Sequence, residues 1–87
     1  MARWYAKGRE VMAKITANGA HEVTRISVRS PAGIRYIWVM CSDGRVLSKP
    51  ANEPSIGYTV YQHGMPRKLR DRGGLLRLVL IRGYRAV

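Results

Sequence analysis

The chain has 87 residues, of which 46% are hydrophobic, and 16 Lys and Arg outnumber five Asp and Glu to give a formal net charge of +11. This apolar content excludes a chain that stays disordered, and the length leaves room for one domain with a thin core. The charge favours a partner that carries phosphates or carboxylates. We therefore predict a single small basic domain over residues 1–87.

The single cysteine, Cys41, excludes an intrachain disulfide and suits a reducing compartment. The first ten residues lack the apolar stretch of a secretory signal, and no apolar run approaches the roughly 20 residues of a spanning helix. These features predict a cytoplasmic protein without membrane contact.

Residues 3–17 have two interpretations. Trp4 and Ile15 lie on one helical stripe, and Asn18-Gly19 would end that helix in a left-handed cap. Alternatively, the segment alternates as a strand, and Asn18-Gly19 forms a tight hairpin turn. We favour the helix, because the hairpin would place Ile15 opposite Glu22, which is a poor match.

From residue 22 onwards the pattern is typical of β-structure. Alternation in EVTRISVR, β-branched and aromatic residues in the next segment, and an Asp43-Gly44 turn together predict a meander of strands. The last apolar run, LLRLVLIR, is interpreted as a buried strand, with a short helix as the alternative. The predicted strands are residues 22–29, 34–41, 45–49, 58–63 and 75–82.

These elements define an α+β fold, in which one N-terminal helix packs on an antiparallel sheet of four to five strands. An all-β small barrel is the alternative. A flat edge strand makes a homodimer possible, since exposed edges invite pairing.

A two-residue turn at Asp43-Gly44 would place Cys41 opposite Val46 and Trp38 opposite Lys49. One face of the sheet would then carry small apolar side chains, and the helix would pack on it. The other face would combine aromatic planes with cations, as single strands of nucleic acid require. Its members are Tyr36, Trp38, Arg45 and Lys49. The competing interpretation is that the aromatic residues belong to the core.

The segment RKLRDRGG, residues 67–74, is a candidate grip for phosphate. Its two glycines would let the backbone approach a ligand closely, although the order of residues is not that of a known nucleotide-binding loop. The alternative is a solvated basic turn. The predicted phosphate contacts are Arg67, Lys68, Arg70 and Arg72.

No constellation for catalysis is evident. His21 and His63 are the only histidines, and neither they nor Cys41 occur at zinc-ligand spacing. The hairpin register places Cys41 on the apolar face, which argues against a nucleophile. We therefore expect no enzyme activity, no metal and no cofactor.

The sequence thus predicts a small non-enzymatic nucleic-acid-binding module. RNA or single-stranded nucleic acid would be preferred, because a sheet face stacks splayed bases and no recognition helix is evident. The alternative is a small interaction protein, for example one encoded by a phage or other mobile element, that binds and inhibits or adapts a host protein. Its cations would then contact an acidic surface of that host protein.

Overall fold

The computed structural model describes residues 13–87, which form an open antiparallel sheet with one α-helix packed on it. Two short 3-10 turns, Ala17–Gly19 and Arg67–Leu69, precede the first strand and the helix. The regular elements are β1 (Glu22–Arg29), β2 (Arg35–Cys41), β3 (Val46–Pro50), β4 (Thr59–Gln62), α1 (Arg72–Ile81) and β5 (Arg85–Ala86).

The sheet has the strand order β4-β3-β2-β1-β5, and every neighbouring pair is antiparallel. The strands β4 and β5 lie at opposite edges, so the sheet does not close and the barrel alternative is wrong. The prediction of an α+β fold with four to five antiparallel strands is confirmed. The prediction that its helix is N-terminal is not.

The helix of this fold is C-terminal. The run at 75–82 forms most of α1 rather than a strand, as the alternative interpretation allowed. Asp71 begins the helix by accepting a hydrogen bond at Oδ1 from the backbone N–H of Gly74, at 2.8 Å, and so satisfies an otherwise free donor. Leu75, Leu78 and Val79 recur at helical spacing and are buried against the sheet.

The N-terminal helix prediction for residues 3–17 falls partly on residues outside the described part of the chain. Within it, Ala13 forms an isolated antiparallel bridge with Tyr58, and no α-helix spans residues 13–17. Asn18 and Gly19 both have positive φ, at 56° and 78°, and turn the chain towards β1. The left-handed conformation expected of Asn18-Gly19 is present, but no α-helix extends over residues 13–17 for it to end.

The β2–β3 hairpin has a three-residue turn, not the predicted two-residue turn. Cys41 donates its N–H to the carbonyl of Arg45, and of the turn residues only Gly44 has a positive φ, at 92°. Asp43 keeps an ordinary φ, and its carboxylate accepts hydrogen bonds from the backbone N–H and Nε of Arg45. A two-residue type I′ turn needs a positive φ at both central residues. Asp43 makes its hydrogen bonds to Arg45 at an ordinary φ, and these bonds therefore favour the three-residue loop. Trp38 therefore lies opposite Ser48, and Lys49 opposite Ile37.

The two faces of the sheet are covered differently. The helix face, which contacts α1, buries nine residues: Ile26, Val28, Trp38, Met40, Val46, Met65, Leu75, Leu78 and Val79. The other face, which we call the open face, has a smaller cluster of Val39, Cys41 and Leu47 under the segment at 13–15. The predicted faces are thus reversed, since the helix packs on the face that carries Trp38.

Candidate nucleic-acid interface

The predicted stacking platform is incorrect for Trp38. Its side chain is 1% exposed, and its ring centroid lies 4.4 Å from that of Tyr61 and 5.2 Å from that of Tyr84. Tyr36 is half-buried and meets Tyr84 edge to face. These rings form an aromatic cluster of the helix-face core, which leaves Trp38 no surface on which a base could stack.

The two cations of the predicted platform hold loops in place. Arg45, whose side chain is 12% exposed, pairs with Asp43 and donates to the carbonyls of Lys14 and Ile15 at 2.9 Å. It therefore fastens the segment that covers the small cluster of the open face. Lys49 donates from Nζ to the carbonyls of Pro50 and Glu53. Both residues make intramolecular contacts that phosphate would have to replace.

Arg70 is also engaged within the protein. Its guanidinium donates from Nε to the carbonyl of Met65 at 2.7 Å and from Nη1 to the carbonyl of Ser42 at 3.0 Å. A Cβ atom on Gly44 would lie 2.8 Å from Nη2, so the guanidinium lies directly against the glycine backbone. Arg70 joins the start of the helix to the β2–β3 hairpin, and this position does not support the predicted phosphate contact.

The remainder of RKLRDRGG forms the start of α1. Asp71 caps the helix, and Gly74 lets it approach the preceding turn, since a Cβ atom there would lie only 1.9 Å from the Leu69 carbonyl oxygen. Arg67, Lys68 and Arg72 are exposed. The segment therefore has a structural role, and three of its four predicted phosphate contacts are accessible.

Three exposed arginines lie side by side on the open face. Arg29 of β1 is directly opposite Arg35 of β2 on one side and Arg85 of β5 on the other. Directly opposite residues of antiparallel strands project from the same face, with Cα atoms roughly 4.5 to 5.5 Å apart. We call these three residues the arginine row.

No carboxylate neutralises the arginine row within residues 13–87. The two ion pairs found there join Arg25 to Glu22 and Arg45 to Asp43. Like charges directly opposite each other destabilise a sheet. The row is therefore a concentration of guanidinium groups that stability alone does not explain.

A cleft of about 390 Å³ lies at the end of the arginine row. The β1–β2 turn forms one wall, and the turn between α1 and β5 forms the other. Pro31 and Gly83 bring the turns together, since a Cβ atom on Gly83 would lie 3.5 Å from Pro31 Cγ. The lining includes Arg29, Arg85, Ser30, Pro31, Ala86 and Val87.

Sequence reasoning did not find the arginine row. Arg29 and Arg35 flank the Ser-Pro-Ala-Gly turn, and a hairpin centred on that turn pairs them. This signal was available. The position of Arg85 could not be predicted in this way, because a strand over 75–82 leaves no place for β5 beside β1.

Cys41 is fully buried on the open face, and burial raises the pKa of its thiol. A protonated thiol without access to solvent is a poor nucleophile. Among residues 13–87, no group of three or more His, Cys, Asp or Glu side chains is arranged to hold a metal ion. In the same part of the chain, no helix has the length and apolar character needed to cross a membrane.

Comparisons of the chain with protein families, with curated proteins and with solved structures found no match in any of the three. Function is therefore inferred from the geometry of the chain itself.

Proposed function

We propose that this protein is a small non-enzymatic nucleic-acid-binding module that holds the sugar–phosphate backbone on its open face. The observation that supports this most directly is the row of Arg29, Arg35 and Arg85, exposed and opposite one another without a carboxylate partner among residues 13–87. Guanidinium groups bind phosphate through paired, charge-assisted hydrogen bonds. A backbone crossing three strands would meet one guanidinium per strand.

The exposed cations at the start of α1 are a second candidate contact. Arg67, Lys68 and Arg72 carry the same total charge as the arginine row, but they lie on a 3-10 turn and the first helical residue. Unlike the row, they are not aligned across paired strands. We assign them a supporting role, in which they add to the electrostatic attraction of a polyanion without fixing its position.

The proposed preference for RNA or single strands has lost its aromatic support, because Trp38 is buried. What still favours it is the shape of the site, since a broad sheet surface suits a flexible strand and the helix packs on the opposite face. A β-ribbon can also enter the major groove of a duplex, so strand type is the first property to measure.

Fluorescence anisotropy tests this function. Labelled single-stranded RNA, single-stranded DNA and duplex DNA are titrated with the protein at several salt concentrations. We expect binding at physiological salt with a preference for single strands, and a slope of log K against log salt corresponding to about three phosphates. Weak binding that ignores strand type and disappears at physiological salt would contradict the proposal.

A second candidate function is the binding of an acidic protein. A groove of about 180 Å³ separates α1 from β4 and the turn after it, and its lining includes Met65, Leu69, Leu78 and Arg77. Ile81, at the end of this lining, is 72% exposed. An acidic amphipathic segment would match the apolar floor and the cation at its rim, whereas a second copy of this basic chain would not.

A pull-down from nuclease-treated lysate separates the two functions. Recovery of one acidic protein, lost when Ile81 is changed to Asp, would favour protein binding. Loss of all partners after nuclease treatment would favour nucleic acid.

A further inference from the structure

We propose that the cleft at the end of the arginine row binds a terminal phosphomonoester, as found at the end of a nucleic-acid strand or on a free nucleotide. This inference depends on the proposed nucleic-acid function and specifies which part of the ligand the cleft holds. The relevant observation is that Arg29 and Arg85, opposite each other on β1 and β5, both line this cleft.

Charge distinguishes a terminal phosphate from an internal one. A phosphomonoester carries about −1.5 to −2 at pH 7, whereas an internal diester carries a single negative charge. Two guanidinium groups on directly opposite residues match the greater charge and the three terminal oxygens. The lining of the cleft contains no Asp or Glu side chain, and the carboxylate of Val87, which also lines it, forms no ion pair with either arginine.

The walls of the cleft suit the rest of a nucleotide. Its volume of about 390 Å³ falls within the usual range for sites that bind small molecules. Pro31 and Val87 supply apolar surface beside the two arginines, and Ser30 supplies a hydroxyl. Arg35, the remaining member of the row, does not line the cleft and would meet the next phosphate along the strand.

The decisive comparison uses two oligonucleotides of one sequence, one with a 5′-phosphate and one with a 5′-hydroxyl. We expect the phosphorylated strand to bind about tenfold more tightly, which corresponds to about 1.4 kcal/mol. A 3′-phosphorylated strand determines which end is held. Competition with adenosine monophosphate and with inorganic phosphate separates a strand end from a free nucleotide or a bare anion.

Two matched variants locate the effect. Arg85→Gln removes one guanidinium group from the cleft lining, and Arg77→Gln removes the same charge from an exposed position of α1 outside that lining. The preference for a terminal phosphate should disappear in the first variant and persist in the second. Circular dichroism checks that both variants fold.

Each outcome gives a separate answer. Equal affinity for phosphorylated and unphosphorylated strands would overturn the cleft proposal and leave nucleic-acid binding intact. Saturable binding of adenosine monophosphate alone, lost in Arg85→Gln, would support the cleft while contradicting the proposed module. Absence of binding to every probe would overturn both.

Discussion

Arg29 lies between two like charges in the sheet, because an arginine is directly opposite it on each side. Removal of its charge should relieve repulsion that the folded state contains and the unfolded chain largely lacks. Such a residue is expected where function and stability compete. We therefore expect the arginine row to affect the stability of the fold as well as the binding of a ligand.

We predict that Arg29→Gln raises the free energy of unfolding by about 0.5 kcal/mol at low salt, with a smaller gain at high salt because ions screen the repulsion. Urea denaturation at two salt concentrations measures the change. Arg77→Gln removes the same charge from an exposed helical position and controls for the effect of net charge. An equal gain in both variants, or a loss in Arg29→Gln, would mean that the row is not strained.

Arg70 should behave in the opposite way. Arg70→Ala removes hydrogen bonds to the carbonyls of Met65 and Ser42, and we predict a loss of about 2 kcal/mol of unfolding free energy. Lys68→Ala, at an exposed neighbouring position, should change it by less than about 0.5 kcal/mol. Thermal denaturation compares the two variants. Similar stability in both would show that the contacts of Arg70 contribute little.

At the scale of elements, the start of α1 depends on a close approach between the helix and the turn before it. Gly74 is buried against the Leu69 carbonyl, whereas Gly73 is exposed, and a Cβ atom added to it would meet only the Asp71 carboxylate, at 3.5 Å. Two adjacent glycines thus have different roles. One allows packing, and the other only lowers helix propensity.

We predict that Gly74→Ala destabilises the protein by more than about 2 kcal/mol, because the new Cβ atom would clash with backbone. Gly73→Ala should be neutral or stabilising by up to about 1 kcal/mol, since Ala favours the helix more than Gly does. Urea denaturation measures the free energy of unfolding of both variants. Equal effects would contradict the observed position of the helix start.

The predictability of these elements varied with the kind of signal that the sequence contained. The alternation of residues 22–29 gave β1 with its observed bounds, because one face of that strand is buried and the other is not. The run at 75–82 is apolar throughout, so its period did not distinguish helix from strand. Asp71 three residues before Gly74 was a usable capping signal that the strand interpretation overlooked.

At the scale of the whole molecule, the position of the helix decided the candidate site. The helix was expected on the small apolar face, which would leave the ring of Trp38 on a cationic surface, whereas in the structure α1 covers that ring and the cations of β1, β2 and β5 align on the other face. The exposed basic character was predictable from composition. The position of the basic surface was not, because it depends on β5 pairing with β1.

The central claim is that the arginine row, and not net charge alone, binds nucleic acid. The most direct measurement compares two triple variants that each lose three charges: Arg29, Arg35 and Arg85 changed to Gln, and Arg67, Lys68 and Arg72 changed to Gln. Anisotropy with a single-stranded oligonucleotide is recorded across salt concentrations. The first variant should lower the salt slope by about two to three units and the second by less than about one. Equal losses in both variants would contradict the account.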